Sequence, residues 1–254
     1  MKIRELYDAA LIEINKVEAP SLLLEDFIYF INKAIQQYIN KAYNKYEMTQ
    51  QATDDLRALK TTAVLDVLTS DPVFPKETNL HYCKMPENYM HLLNCIVGFD
   101  KIGNDESFKC PSKNIEDADY ATLARKLTSD IYPSIINNAY FKPSYQRPYY
   151  NITTYGLNDP EPKDLRLEIK CGNTSKYKPS KVFIDYIRTP KPITLTYDDL
   201  ESEEDNTDIM EFSDYVCYEI INEFVKLVLE NASDTRLQTN YAINQTAGFS
   251  GLKE

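Results

Sequence analysis

Side-chain chemistry has little material to work with in this chain. It holds two histidines, and both fall close to two of its five cysteines, as His81-Tyr82-Cys83 and His91-Leu92-Leu93-Asn94-Cys95. These are residue types that zinc accepts. On a strand, His81 and Cys83 share one face and would supply a ligand pair. Closed structural zinc sites usually pair cysteines two to four positions apart, however, and Cys95 lies among Leu92, Leu93, Ile96 and Val97. The expectation is therefore ordinary strand residues, with no cofactor.

Other chemistries fail on spacing. Gly98 and Gly103 stand at the separation of a phosphate-binding loop, but Asn104 occupies the place of the lysine that would neutralise the phosphates. The acids Glu201, Glu203 and Asp205 alternate like the start of a calcium loop, yet no glycine follows at the sharp turn. No G-x-S-x-G elbow presents a serine nucleophile, and only two histidines exist to serve one. Paired carboxylates of the glycosidase kind can be found in any chain this acidic and identify nothing. The expectation is a protein without catalytic activity. A hydrolase or a carbohydrate-binding module is the alternative.

The elements that would position any site follow from periodicity. In the first third, Ile3, Leu6, Tyr7, Ala10, Leu11 and Ile14 mark one helix face over residues 2–16. Pro20 and a capping Ser21 separate it from a second helix, whose stripe is Leu24, Phe27, Ile28, Ile31, Ile35, Tyr38, Ile39 and Ala42. A shorter helix fits 49–59, with Asp54, Asp55 and Arg57 outward. Strands are expected at 64–68, 80–85, 89–99, 165–171, 182–188 and 193–197, short and rich in β-branched or aromatic residues. The clean alternation in Leu165-Arg166-Leu167-Glu168-Ile169-Lys170 marks a half-buried antiparallel strand. A helix is expected over 115–131, and a last one from a capping Ser213 to Asn231, apolar around much of its circumference and so central.

The fold class expected is α+β: a helical bundle from the first and last helices, with an antiparallel β-rich region inserted. Its parts are helices over 1–60, a first β segment over 61–112, a helix over 113–140 and a second β segment over 141–200. An acidic loop over 201–212, the bundle helix over 213–232 and a docking arm over 233–254 complete it.

Composition sets the class of partner. The 254 residues carry a net charge of -11, and nine acids without any Lys or Arg fall in 198–214. The acidity is thus local, and it disfavours a free-standing binder of DNA or membrane surfaces. The acidic loop proper comprises Asp198, Asp199, Glu201, Glu203, Glu204, Asp205 and Asp208. No apolar run reaches the ~18–20 residues of a membrane span. The opening residues carry acids where a signal peptide is apolar, and the cysteines are odd in number and scattered, as in a reducing compartment. Interaction surface is the remaining resource. Tyr140, Phe141, Tyr145, Arg147, Tyr149 and Tyr150 cluster among prolines and cations, the residue types that dominate contact hot spots. Arg236, Gln238, Tyr241 and Asn244 mark a polar arm that would order on a neighbour.

One arrangement of motifs adds to this reading. It begins with Phe27-x₃-Ile31-Asn32-x-Ala34-Ile35-x₂-Tyr38-Ile39-Asn40 and Gln50-Gln51-x₂-Asp54-Asp55-Leu56-Arg57-x-Leu59. Tyr140-Phe141-Lys142-Pro143 with Arg147-Pro148-Tyr149-Tyr150 follows, then Glu211-Phe212-x-Asp214-Tyr215 and Glu219-Ile220-Ile221-Asn222-Glu223. Leu229-Glu230-Asn231-x₂-Asp234-x-Arg236-x-Gln238-Thr239 closes it. Over nearly the whole chain this pattern resembles the head-to-tail connector (neck, ring or portal adaptor) proteins of tailed bacteriophages, those of crAss-like podoviruses above all. The resemblance implies a virion protein made in the host bacterial cytoplasm. It would assemble with itself as a ring, a dodecamer if it matches the portal, and touch the portal and neighbouring neck or tail proteins. It would line a channel through which packaged DNA passes without specific binding, and engage no membrane.

Overall fold

The computed structural model describes residues 1–15, 22–69, 81–102, 118–128, 130–136, 138, 140–154, 165–172, 177–202 and 207–231. The chain is α+β and divides into two compact units, one built from residues 1–59 and 190–254 and the other from 60–189.

The first unit is helical. Its elements are α1 (Ile3–Asn15), α2 (Leu24–Asn44), α3 (Gln50–Asp55) with a 3₁₀ turn (Arg57–Leu59), α5 (Tyr197–Glu201) and α6 (Asp214–Asn231). Both α1 and α2 pack on α6, so the expected apolar stripes meet. Phe27 of α2 lies edge-on to Phe224 of α6 at 5.3 Å and to Tyr7 of α1 at 4.8 Å. Val216, Ile220, Ile221, Val225, Val228 and Leu229 are buried around α6, which is the central helix that its apolar circumference requires. The cap of α2 differs from expectation: Leu23 is the N-cap, without a side-chain hydrogen bond, and Ser21 lies outside the described residues.

Two further expectations in this unit are corrected. Asp55 is half-buried rather than outward, accepting a hydrogen bond from the Tyr38 hydroxyl at 2.9 Å, because α3 packs back on α2. The strand expected at 193–197 is an extended segment followed by α5. Ile193 and Leu195 do point inward by alternation. Their neighbour is a helix, and the Asn32 side-chain amide takes the place of a strand: Ile193 N–H donates to its Oδ1 at 2.8 Å, and its Nδ2 donates to the Ile193 carbonyl at 3.0 Å. The alternation was real, but no second strand lies beside it to complete a ladder.

Among the described residues, the second unit consists of strands and one short helix, α4 (Tyr132–Ile136). Its strands are β1 (Lys60–Asp66), β2 (Leu68–Thr69), β3 (His81–Lys84), β4 (Tyr89–Lys101), β5 (Tyr120–Leu123), β6 (Arg125–Lys126), β7 (Tyr149–Thr154), β8 (Leu165–Lys170) and β9 (Tyr177–Arg188). They form one sheet in the order β1-β9-β4-β5 and another in the order β2-β3-β8-β7-β6. Only Val67 separates β1 from β2, and only Ala124 separates β5 from β6. Each pair is one bent strand that leaves the first sheet and joins the second. The two sheets therefore share both margins and close as a barrel, which removes most of the edge that an open sheet would expose. Every pairing is antiparallel except β6 with β7. Cys83, Cys95, Val97, Phe99, Leu167 and Ile184 are among the side chains that fill the interior. In β8, Leu167 and Ile169 are buried, as the alternation of that segment requires.

The helix expected over 115–131 is absent where the chain is described, and β5 and β6 stand there instead. Alanines and leucines spaced three apart suggested the helix. In the fold Tyr120 packs against the core, Ala124 is buried and Leu123 faces outward, a period of two. Backbone pairing to β4 outweighs the local preference, since strand propensity depends on what lies alongside. A strand over 149–154, which the Tyr/Pro-rich texture concealed, joins β8 along its whole length.

Candidate functional site

The six residues expected to share a contact surface divide into two groups. Tyr149 is 4% exposed and its hydroxyl donates to the Phe141 carbonyl at 3.2 Å. Tyr150 packs half-buried on the barrel core. Tyr145 stacks on Tyr177 at 4.6 Å and meets Tyr120 edge-on at 5.8 Å, so its ring is held within the unit. All three rings pack within the barrel unit, Tyr149 buried and Tyr145 and Tyr150 half-buried. Tyr140, Phe141 and Arg147 remain outside, with Tyr140 83% exposed and Phe141 50% exposed.

That exposed group is held in shape. The Arg147 guanidinium donates to the Tyr140 carbonyl and lies 6.0 Å from the centre of the Phe141 ring. Tyr140 N–H donates to Asn138 Oδ1 at 2.9 Å, and Ser144 and Arg147 exchange backbone hydrogen bonds at 3.2 and 3.0 Å. The loop also rests on Gly172, whose φ of +70° favours glycine and whose added Cβ would come 2.5 Å from the Pro143 carbonyl oxygen. With Lys142 exposed beside it, the result is an aromatic knob carrying two positive charges.

The acids expected to act as one loop do separate things. Thr196 and Asp199 form a capping box at the start of α5, with Asp199 N–H donating to Thr196 Oγ1 at 3.3 Å and Thr196 N–H donating to Asp199 Oδ2 at 2.9 Å. Hydrogen bonds from the Thr196 side chain and backbone hold the Asp199 carboxyl below the usual carboxylate range. Asp198 lies in the first turn of the same helix and Glu201 ends it, both exposed. Asp208 offers its carbonyl to Ile3 N–H at 3.0 Å, and Glu211 accepts from Lys191 N–H at 3.1 Å. Glu203, Glu204 and Asp205 lie outside the described residues, as do Arg236, Gln238, Tyr241 and Asn244 of the expected arm.

The helical unit has a cavity of about 150 Å³ with a mixed lining, in which Ile3, Ile35, Pro192, Ile193, Met210 and Phe212 stand beside Lys191, Asp208 and Glu211. Sequence reading did not find it. Its walls come from α1, α2 and the segments on either side of α5, and no local pattern links residues so far apart. The one visible signal was the pair of prolines, Pro190 and Pro192, which keeps that segment extended beside the cavity.

Expectations for the histidine and cysteine cluster hold in part. His81 and Cys83 share a face of β3, and that face is the barrel interior, where both are buried. His91 and Cys95 stand on β4, in the other sheet. Burial pushes the thiols of Cys83 and Cys95 up to about 12. No group of three or more His, Cys, Asp or Glu able to hold a metal occurs among the described residues. His81 Nδ1 is buried without a hydrogen-bond partner, and burial lowers the proton affinity of the ring.

No protein-family model matches the chain, and no curated protein matches it. Among the described residues no helix is long and apolar enough to cross a membrane.

Proposed function

We propose that this protein is a structural subunit of a bacteriophage virion, a head-to-tail connector whose copies form a ring between the portal and the tail. The observation that carries the reading is the way the chain is divided. Helices from both ends pack together as one unit, while residues 60–189 form a separate barrel inserted between them. A helical bundle with an inserted β-rich part is what the resemblance of the sequence implies. The helical unit supplies a rigid body for packing in a ring, and the barrel displays a preformed aromatic knob for a neighbour. A head-to-tail interface of this kind closes into a ring when its rotation allows, and a twelvefold ring would match a portal. The exposed acids Asp198 and Glu201 would face the DNA channel and repel phosphates, which prevents adhesion during passage.

The experiment that tests this is symmetry-imposed cryo-electron microscopy of the portal vertex in particles that carry this chain. Ring density that accepts both units is the expected result. Absence of the chain from the particles overturns the reading. Unchanged genome ejection after replacing the acids of 198–208 by amides overturns the channel role alone.

A further inference from the structure

We infer that the aromatic knob of one copy seats in the mixed apolar and acidic cavity of the helical unit of a second copy. The knob is Tyr140 and Phe141, flanked by Lys142 and Arg147, and the inference rests on the self-assembling reading above only in taking the occupant to be the same chain.

Three features fit the two surfaces together. The knob is preorganised: backbone groups of both aromatic residues are engaged, by Arg147 on Tyr140 and by the Tyr149 hydroxyl on Phe141. A loop backbone already held in place loses little freedom on binding, and Tyr, Phe and Arg are the residue types that anchor interfaces. The cavity is concave where the knob is convex, with an apolar floor formed by Ile3, Ile35, Ile193 and Phe212. At its margin Ile209 is 72% exposed, apolar surface that a seated ring would cover. The charges are complementary. The knob presents two cations, and the cavity margin carries Asp208 and Glu211 with Lys191 as its one cation among the lining residues.

Knob and cavity belong to different units of each chain. Reciprocal exchange between two copies closes a dimer, and head-to-tail seating closes a ring, so the size of the assembly distinguishes the two.

The full chain, followed by sedimentation velocity from micromolar to near-millimolar concentration, provides the test. The wild-type chain should associate. Replacing Tyr140 and Phe141 by Ser should weaken association by roughly 30-fold or more, the loss expected of a central hot spot. Lys142→Glu and Asp208→Lys should each weaken it alone, and an equimolar mixture of the two should regain it, since opposite charges then meet again. Unchanged helical and strand content in each variant excludes misfolding as the cause. A wild-type chain that stays monomeric across the range overturns the contact, as does a mixture that regains nothing. A chain that associates equally well without Tyr140 and Phe141 overturns this contact and leaves ring assembly standing. The ring itself is judged separately by its density in particles.

Discussion

At the residue scale, the buried histidine is the most exposed point of the barrel's chemistry. Burial lowers the proton affinity of His81, with Lys178 adding to it, and burial lowers that of His91. A folded value below the ordinary 6.5 means that the unfolded chain binds the proton more readily. The stability these residues contribute is complete above that value and is lost as the pH falls below it. The barrel should therefore melt at lower temperature at pH 5.5 than at pH 7.5, and His81→Leu should remove much of the difference. Hydrogen exchange on the amides of β3 and β8, which pair along His81–Lys84, reads this unit directly. The carboxyls of Asp55 and Glu219 run the other way: burial raises both, so their contribution is complete in acid and fades as the pH rises through their folded values. The thiols give a second prediction at this scale. Cys83, Cys95, Cys171 and Cys217 are buried, with the last two pushed up to about 11. A thiol reagent at neutral pH should leave all four unmodified in the native protein and label them once denaturant is added. Rapid labelling of Cys83 or Cys95 in the native chain would contradict the closed barrel.

At the element scale, stability rests on a few contacts between distant segments. Phe224 of α6 is fully buried against Phe27, so Phe224→Ala should cost about 3–5 kcal/mol in a denaturant melt of the helical unit. Gly172→Ala carries about 1–2 kcal/mol for the left-handed backbone alone. The closer cost is the collision with Pro143, which should displace the loop 140–148. Faster hydrogen exchange at Tyr140–Arg147 would record that displacement, and no change would show that the loop is held without Gly172. The elements also show how much could be read in advance. α1, α2 and α6 were legible because each turns a single apolar stripe toward the others, and β8 because its alternation is strict. β5 was misread because Ala118, Ala121, Ala124 and Leu127, spaced three apart, satisfy a helical period. Only the neighbouring β4 decides between the two periods, and it takes the strand.

At the scale of the whole molecule, the barrel has its own core and encloses its own hydrogen-bond ladders. Residues 60–189 expressed alone should fold, with a strand-dominated circular dichroism spectrum and a cooperative melt. The helical unit differs, since its core joins α1 and α2 to α6 from the far end of the chain. Residues 1–59 alone should fail to fold, because Phe27 and Ile31 then have no α6 to cover them. A folded 1–59 fragment would refute the discontinuous unit.

The sequence by itself determined the α+β class, the three long helices, the strands with clear alternation and the concentration of acid at 198–214. These follow from periodicity and composition, which act over a few residues. Tertiary structure alone decided that β1–β2 and β5–β6 each bend from one sheet into the other, that Asn32 stands in for a strand beside Ile193, and that three of the five clustered aromatics pack within the barrel unit. It also brought the cavity's walls together from segments near both ends of the chain. Each of these depends on which surfaces meet, and residues far apart in the chain carry no local period that records their meeting.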